Sequence, residues 1–125
     1  MSKATSIGIW VITILTALAF AAAGTAKLMG VPQLHASFGI MGLPSWFGYF
    51  IGFCELSGAI GLLIRPLSAL AASGLVAIML GAIFFHVHYE VVSHAVPAIV
   101  LTVLLAIIIR VRYAQAVWFP VKAAA

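Results

Sequence analysis

Four long apolar segments dominate the chain, at about residues 7–26, 46–64, 67–85 and 91–109. Each is about 20 residues long, the length at which a helix crosses the hydrocarbon core of a bilayer. None alternates polar and apolar residues with the period of two that a barrel strand would show. The pattern predicts an all-α fold, an integral membrane four-helix bundle in which residues 1–125 form a single transmembrane domain.

Proline residues support these boundaries. Pro44, Pro66 and Pro97 each lie near the start of an apolar segment, where the first helical turn tolerates the missing N–H. Pro97 follows Val91 by six residues, which leaves two starting points for the last helix.

The connection between the first two segments is too long for a tight turn. Leu34, Phe38 and Met41 recur there at helical spacing. This pattern predicts a short amphipathic helix lying in the membrane interface between the first two spans.

Composition agrees with a lipid environment. The chain has 125 residues, of which 66% are hydrophobic and only 6% are charged, whereas soluble domains carry about 25% charged residues. The expected partner is therefore the lipid bilayer. The net charge of +4 comes from basic residues spread singly along the chain, so no nucleic-acid partner is expected. The single cysteine, Cys54, cannot form a disulfide within the chain.

The basic residues also predict the orientation. Five of the six would lie on one side of the membrane: Lys3, Arg65, Arg110, Arg112 and Lys122. Only Lys27 would lie on the other side. Because cytoplasmic loops are enriched in Lys and Arg, we expect both termini in the cytoplasm of a bacterial or archaeal cell. All four histidines and Glu90 then fall on the outer side.

Glu55 is the residue that lipid tolerates least. It lies near the middle of the second segment, where an ionised carboxylate costs about 2.5–3.5 kcal/mol or more unless it is paired. Gly48, Gly52 and Ala59 share its helical face, and small residues allow helices to approach closely. We therefore expect this face to point into the bundle.

Lys27 and His86 are the candidate partners of Glu55. Lys27 ends the first segment, with a stem that reaches toward the membrane centre, and His86 ends the third segment. Glu55 lies nine residues after Trp46, about 13 Å deeper. A cluster of the three therefore requires that the outer helix ends dip inward or that water enters. It would be either a ligand-binding site or a buried triad that only sets helix packing.

A metal site is not expected. His86, Glu90 and His94 follow each other at intervals of four, but on an unbroken helix the two histidines would lie about 12 Å apart. One ion cannot bind both, although a loop would relax that limit. No catalytic residue is predicted either.

Several stretches resemble the DoxX-like family of small four-helix integral membrane proteins. They are FAAAGTAKL ending at Leu28, GLP ending at Pro44, ELSGAIGLLIR ending at Arg65, and MLGA ending at Ala82 with His86 beyond it. The likeness covers about residues 10–110. It implies a four-helix fold and an association with membrane oxidoreductase systems, including quinone-linked thiosulfate oxidation and oxidative-stress complexes. It also implies that Lys27, Glu55 and His86 are polar core positions.

Three functions remain open on this basis. The first is a subunit of a membrane redox system that binds quinone or a small polar ligand at Lys27, Glu55 and His86. Such a chain would be at most a non-catalytic or quinone-binding subunit of an oxidoreductase. No flavin, haem or iron–sulfur signature is present, so any electron path would run through a quinone, the only cofactor considered, or through a partner protein. The second is a component of a small proton-coupled transporter. The third is a structural or assembly subunit that acts as a homo-oligomer or beside a membrane redox partner.

Overall fold

The computed structural model describes residues 2–115, which form helices joined by short turns. The α-helices are α1 (Lys3–Leu28), α2 (Pro32–Ile40), α3 (Phe47–Leu62), α4 (Arg65–Tyr89) and α5 (Val96–Arg112). Two 3₁₀ helices, Val92–Ala95 and Tyr113–Gln115, flank α5. The predicted all-α four-helix bundle with a short helix between the first two spans is confirmed. Lys122, one of the predicted topology markers, lies outside the described residues.

Three stretches are long and apolar enough to cross a membrane: α1, α4, and α5 together with its preceding 3₁₀ turn. The second predicted span contains the shorter α3, whose 16 residues extend about 24 Å. Trp46, Leu63 and Ile64 continue its apolar character at both ends. The chain is an integral membrane protein in which one of the four bundle helices is distinctly short.

Proline marks the helix starts as expected. Pro66 and Pro97 lie in the first turns of α4 and α5. The last α-helix begins at Val96 rather than Val91, because the preceding residues form the 3₁₀ helix. The helix of the third predicted span, α4, extends to Tyr89, four residues beyond the predicted end of that span.

Helix packing closes the bundle: α1 packs against α3, α3 against α4, and α4 against α5, which also touches α1. The core combines small and large apolar side chains, namely Ala17, Phe20, Ala59, Leu62, Ala72, Leu75, Met79, Ala98, Leu105 and Ile108. Other large apolar side chains, such as Leu15, Leu18 and Phe53, are more than half exposed. Their exposure is that of a surface solvated by lipid, where small residues rather than hydrophobic burial allow helices to associate.

The short helix α2 contacts α1 and α3 and lies at the C-terminal end of α1 and the N-terminal end of α3. The predicted topology assigns this end of the bundle to the outer side, and it is called the outer end below. Of the three residues whose spacing predicted this helix, Leu34 and Phe38 are half-buried within it and Met41 follows its end. Phe38 meets Phe47 edge to face at 5.4 Å between ring centres. This helix therefore covers the start of α3.

Candidate functional site

Lys27 and Glu55 form an ion pair between α1 and α3. The Lys27 Nζ atom lies 2.8 Å from Glu55 Oε1, and the side chains are 14% and 2% exposed. Lys27 belongs to the last turn of α1, and Glu55 lies in the middle of α3. The structure thus brings together two of the three residues that the sequence singled out.

Two glycines explain how the pair overcomes the expected difference in depth. A Cβ atom added to Gly24 would lie 2.7 Å from the main-chain oxygen of Gly52 and 2.8 Å from the nitrogen of Leu56. A Cβ atom added to Gly52 would lie 2.8 Å from Lys27 Cβ. Lys27 is therefore level with Gly52, only three residues or about 4.5 Å from Glu55 along the axis. A lysine stem spans that distance easily.

The two helices contribute to this contact in the same way. On each helix the glycine precedes the charged residue by three positions, so Gly24 precedes Lys27 and Gly52 precedes Glu55. Because the helices run antiparallel, each glycine faces the charged residue of the other helix, and a Cβ atom on Gly24 would lie 3.2 Å from Glu55 Cβ. The ion pair lies where the two backbones are closest.

His35 of α2 covers the outer side of this contact. Its Nε2 lies 2.8 Å from the main-chain oxygen of Lys27; because a carbonyl can only accept, the ring nitrogen donates. The ring is tilted against Tyr49, with centres 4.4 Å apart, and lies directly on Gly48. Sequence reasoning had placed His35 only on the outer side. Gly48 is the sequence feature that could have indicated this contact. It belongs to the small-residue face of α3 and lies between the ion pair and the start of the helix, where the His35 ring packs.

Removing the His35 side chain should loosen α2 without disturbing the rest of the bundle. A typical hydrogen bond contributes about 0.5–1.5 kcal/mol net, so we expect amide exchange in residues 27–40 of a His35→Ala variant to accelerate up to about tenfold. Hydrogen–deuterium exchange in lipid nanodiscs measures this. The exposed Gln33 on the same helix supplies the control, and Gln33→Ala should leave exchange unchanged. Equal acceleration in both variants would show that His35 does not hold α2.

His86 does not lie beside the ion pair. A Cβ atom on Gly58 would lie 2.8 Å from a Leu75 methyl carbon, so these residues are level. Because α3 and α4 run antiparallel, three residues back along α3 corresponds to three residues forward along α4, so Glu55 is level with Ile78. His86 lies eight residues beyond Ile78 on α4, about 12 Å away along the helix axis. The three predicted site residues are thus divided between two locations.

His86 belongs instead to a cluster at the outer corner between α4 and α5. Its Nδ1 lies 2.5 Å from Glu90 Oε1, and His94 Nδ1 lies 3.5 Å from the same oxygen. The hydrogen bond from His86, with a smaller contribution from His94, holds the pKa of the Glu90 carboxyl below its usual range. The side chains are partly exposed, so water reaches this cluster.

Two apolar grooves run between the helices. One, of about 370 Å³, lies between α3 and α4 and is lined by residues that include Phe50, Phe53, Cys54 and Gly74. The other, of about 170 Å³, lies between α1 and α3. Neither groove is lined by Lys27 or Glu55.

Comparison with known proteins gives one match. The model of the DoxX-like family matches residues 11–108, a range that contains the ion pair, His35 and His86. No curated protein and no solved structure matched the chain.

Proposed function

Because the chain belongs to the DoxX-like family, we propose that it is a non-catalytic subunit of a quinone-linked membrane redox system. In this proposal the Lys27–Glu55 pair binds the polar head of a quinone or of a similar small polar ligand. The supporting observation is the ion pair itself, with Glu55 buried and the Lys27 side chain 14% exposed. The predicted topology, with both termini in the cytoplasm, places the pair in the outer half of the membrane.

The chemistry of the pair suits an acceptor ligand. An ammonium group has three N–H donors, and the contact with Glu55 Oε1 can use at most one of them. The others can donate to a carbonyl oxygen, which is what a quinone head presents. Glu55 holds the ammonium in place, so the role of this chain is to bind and orient. The electron transfer itself would occur on the quinone and on a partner protein.

A second candidate, a structural or assembly subunit, is favoured by the direct contact within the pair. Lys27 and Glu55 neutralise each other's charge across a glycine-lined helix contact without a ligand. A buried ion pair of this kind can specify helix register. The two candidates differ in whether anything binds at Lys27.

Transport has less support. A proton path needs hydroxyl groups that are available to one another, but four of those in the described spans donate to the carbonyl four residues earlier on their own helix: Thr13, Thr16, Ser73 and Thr102. These bonds follow each helix and do not form a chain across the bundle.

Quinone binding tests the proposal. A short-chain quinone added to the protein in nanodiscs should quench tryptophan fluorescence saturably. Replacing Lys27 with glutamine should weaken binding about tenfold or more, because loss of a charge-assisted hydrogen bond costs about 1.5–3 kcal/mol. Ser57→Ala, on another face of α3 at similar depth, is the matched control and should bind as wild type does.

Two results would reject the redox proposal. One is a wild-type protein that binds no quinone in saturable fashion. The other is equal affinity of the wild type and Lys27→Gln, with both folded by circular dichroism. Either result leaves the assembly candidate in place.

A further inference from the structure

A second group of metal-ligating side chains lies outside the Lys27–Glu55 pair, at the outer corner between α4 and α5. It consists of His86, Glu90 and His94, and each offers a ligand atom within 4.8 Å of the other two. We propose that these three residues bind a divalent transition metal ion of the Zn²⁺ type. The inference does not depend on the proposed function, because the two sites lie about 12 Å apart along the helix axis.

A break in the helix makes this arrangement possible. On an unbroken helix residues eight positions apart are separated by about 12 Å. Here α4 ends at Tyr89, and Glu90 has extended backbone angles, with φ −137° and ψ −163°. The 3₁₀ helix that follows turns His94 back toward α4, so that the His86 and His94 ring centres lie 6.3 Å apart. The limit that excluded a metal site on a continuous helix therefore does not apply.

A tetrahedral ion requires the three ligand atoms, which lie within 4.8 Å of one another, to shift by about 1 Å. With Zn–N and Zn–O bonds of about 2.0–2.2 Å, ligand atoms around Zn²⁺ lie roughly 3.3–3.5 Å apart. Glu90 Oε1 lies 3.5 Å from His94 Nδ1 and 2.5 Å from His86 Nδ1. The shorter distance is that of a hydrogen bond, in which His86 donates to the carboxylate. When an ion binds Nδ1, the ring takes the tautomer that carries its proton on Nε2, with water exchanging the proton between the two nitrogens, and the Nδ1 and Oε1 atoms separate by about 1 Å.

The ligand set selects the class of ion. Two imidazole nitrogens and one carboxylate oxygen suit Zn²⁺ and neighbouring transition metals. Mg²⁺ and Ca²⁺ instead prefer oxygen ligands throughout. The side chains of His86, Glu90 and His94 are 28%, 37% and 59% exposed, so a water molecule can complete the coordination from the outer side.

The effect of the ion would be to join α4 to the start of α5. His86 lies in the last turn of α4, whereas His94 lies in the 3₁₀ helix that leads into α5. An ion bound to both ties together the two ends of the helix break. We therefore expect the ion to stabilise this corner, since a ligand that binds only the folded state raises the thermal midpoint.

Isothermal titration calorimetry of Zn²⁺ into the full chain in nanodiscs, with any affinity tag removed, tests this proposal. The wild type should bind one Zn²⁺ and should not bind Mg²⁺ in its place. His86→Ala and His94→Ala should each weaken binding at least tenfold, because loss even of a residue that only orients a ligand costs 10–100-fold. His88 is the matched control: it belongs to the same turn, and its ring lies 4.3 Å from that of Phe84. His88→Ala should bind as wild type does.

A second measurement keeps the test decisive if an alanine variant fails to fold. Glu90→Gln preserves the size of the side chain, and its thermal midpoint should no longer rise with Zn²⁺, whereas that of the wild type should rise. The proposal is overturned if the wild type shows no saturable Zn²⁺ binding. It is also overturned if His88→Ala weakens binding as much as His86→Ala, or if Glu90→Gln responds to Zn²⁺ as the wild type does.

Discussion

Replacing Lys27 with methionine is expected to lower the free energy of unfolding by about 3–5 kcal/mol, because it leaves a buried carboxylate without its counter-charge. Glu55 is only 2% exposed, and the Lys27 ammonium lies 2.8 Å from it. Methionine has nearly the length and apolar character of the lysine stem, so the substitution removes the charge and little of the packing. Titration with a denaturing detergent in mixed micelles, followed by circular dichroism, measures the change.

The double variant separates the charge from the packing. Lys27→Met together with Glu55→Leu removes both charges, and replacing a buried ion pair by apolar residues is often neutral or stabilising by about 1–4 kcal/mol. We therefore expect most of the stability lost in the single variant to return. Lys3→Met, at the exposed start of α1, is the control and should have no effect. A single variant as stable as the wild type would show that the pair is not needed for folding.

This double variant also separates the two candidate functions. If it folds but no longer binds quinone, Lys27 and Glu55 act on a ligand. If it folds and preserves the cellular phenotype, the pair binds no ligand that the function requires, and the structural or assembly candidate is favoured.

Replacing Gly24 with alanine should have the next largest effect. The added Cβ atom would lie 2.7 Å from one backbone atom and 2.8 Å from another, and neither can move as the end of a side chain can. The helices α1 and α3 must then separate, which draws Lys27 away from Glu55. Overpacking of this kind costs about 1–3 kcal/mol, to be measured by the same detergent titration.

Gly8 provides a matched control on the same helix. A Cβ atom added there would meet nothing within 4 Å. Gly8→Ala should therefore stabilise the protein by about 0.5–1 kcal/mol, because alanine loses less backbone entropy in a helix than glycine does. The same glycine-to-alanine change is thus expected to lower the free energy of unfolding at Gly24 and to raise it at Gly8. An equal change in the free energy of unfolding for Gly8→Ala and Gly24→Ala would contradict the close approach of α1 and α3.

The four helices and the buried face of α3 around Glu55 could be predicted from local sequence patterns. Apolar segments and prolines indicated four helices, and the small residues around Glu55 indicated its inward face. All of Gly48, Gly52, Glu55 and Ala59 are indeed buried. These features are periodic along one helix, so the sequence shows them directly.

The relative heights of different helices could not be predicted in that way. The depth difference between Lys27 and Glu55 disappears because Gly24 and Gly52 set the register of two antiparallel helices, which no single segment reveals. His86 was grouped with Glu55 because both were assigned to the same half of the membrane, whereas counting along α4 separates them by about 12 Å. The helix break at Glu90, and with it the approach of His94 to His86, required knowledge of the turn that follows.

The short helix α3 has a consequence for the surrounding bilayer. The 26 residues of α1 extend about 39 Å, whereas the 16 residues of α3 extend about 24 Å, less than the roughly 30 Å of a typical hydrocarbon core. The helical part of the apolar surface is therefore shorter on the α3 side than on the α1 side. We expect lipids beside α3 to shorten, or the α3 sides of two molecules to meet, and such hydrophobic mismatch sorts membrane proteins by bilayer thickness. Bilayers of short-chain lipids should favour the dispersed protein, and those of long-chain lipids should favour its clustering through the α3 side.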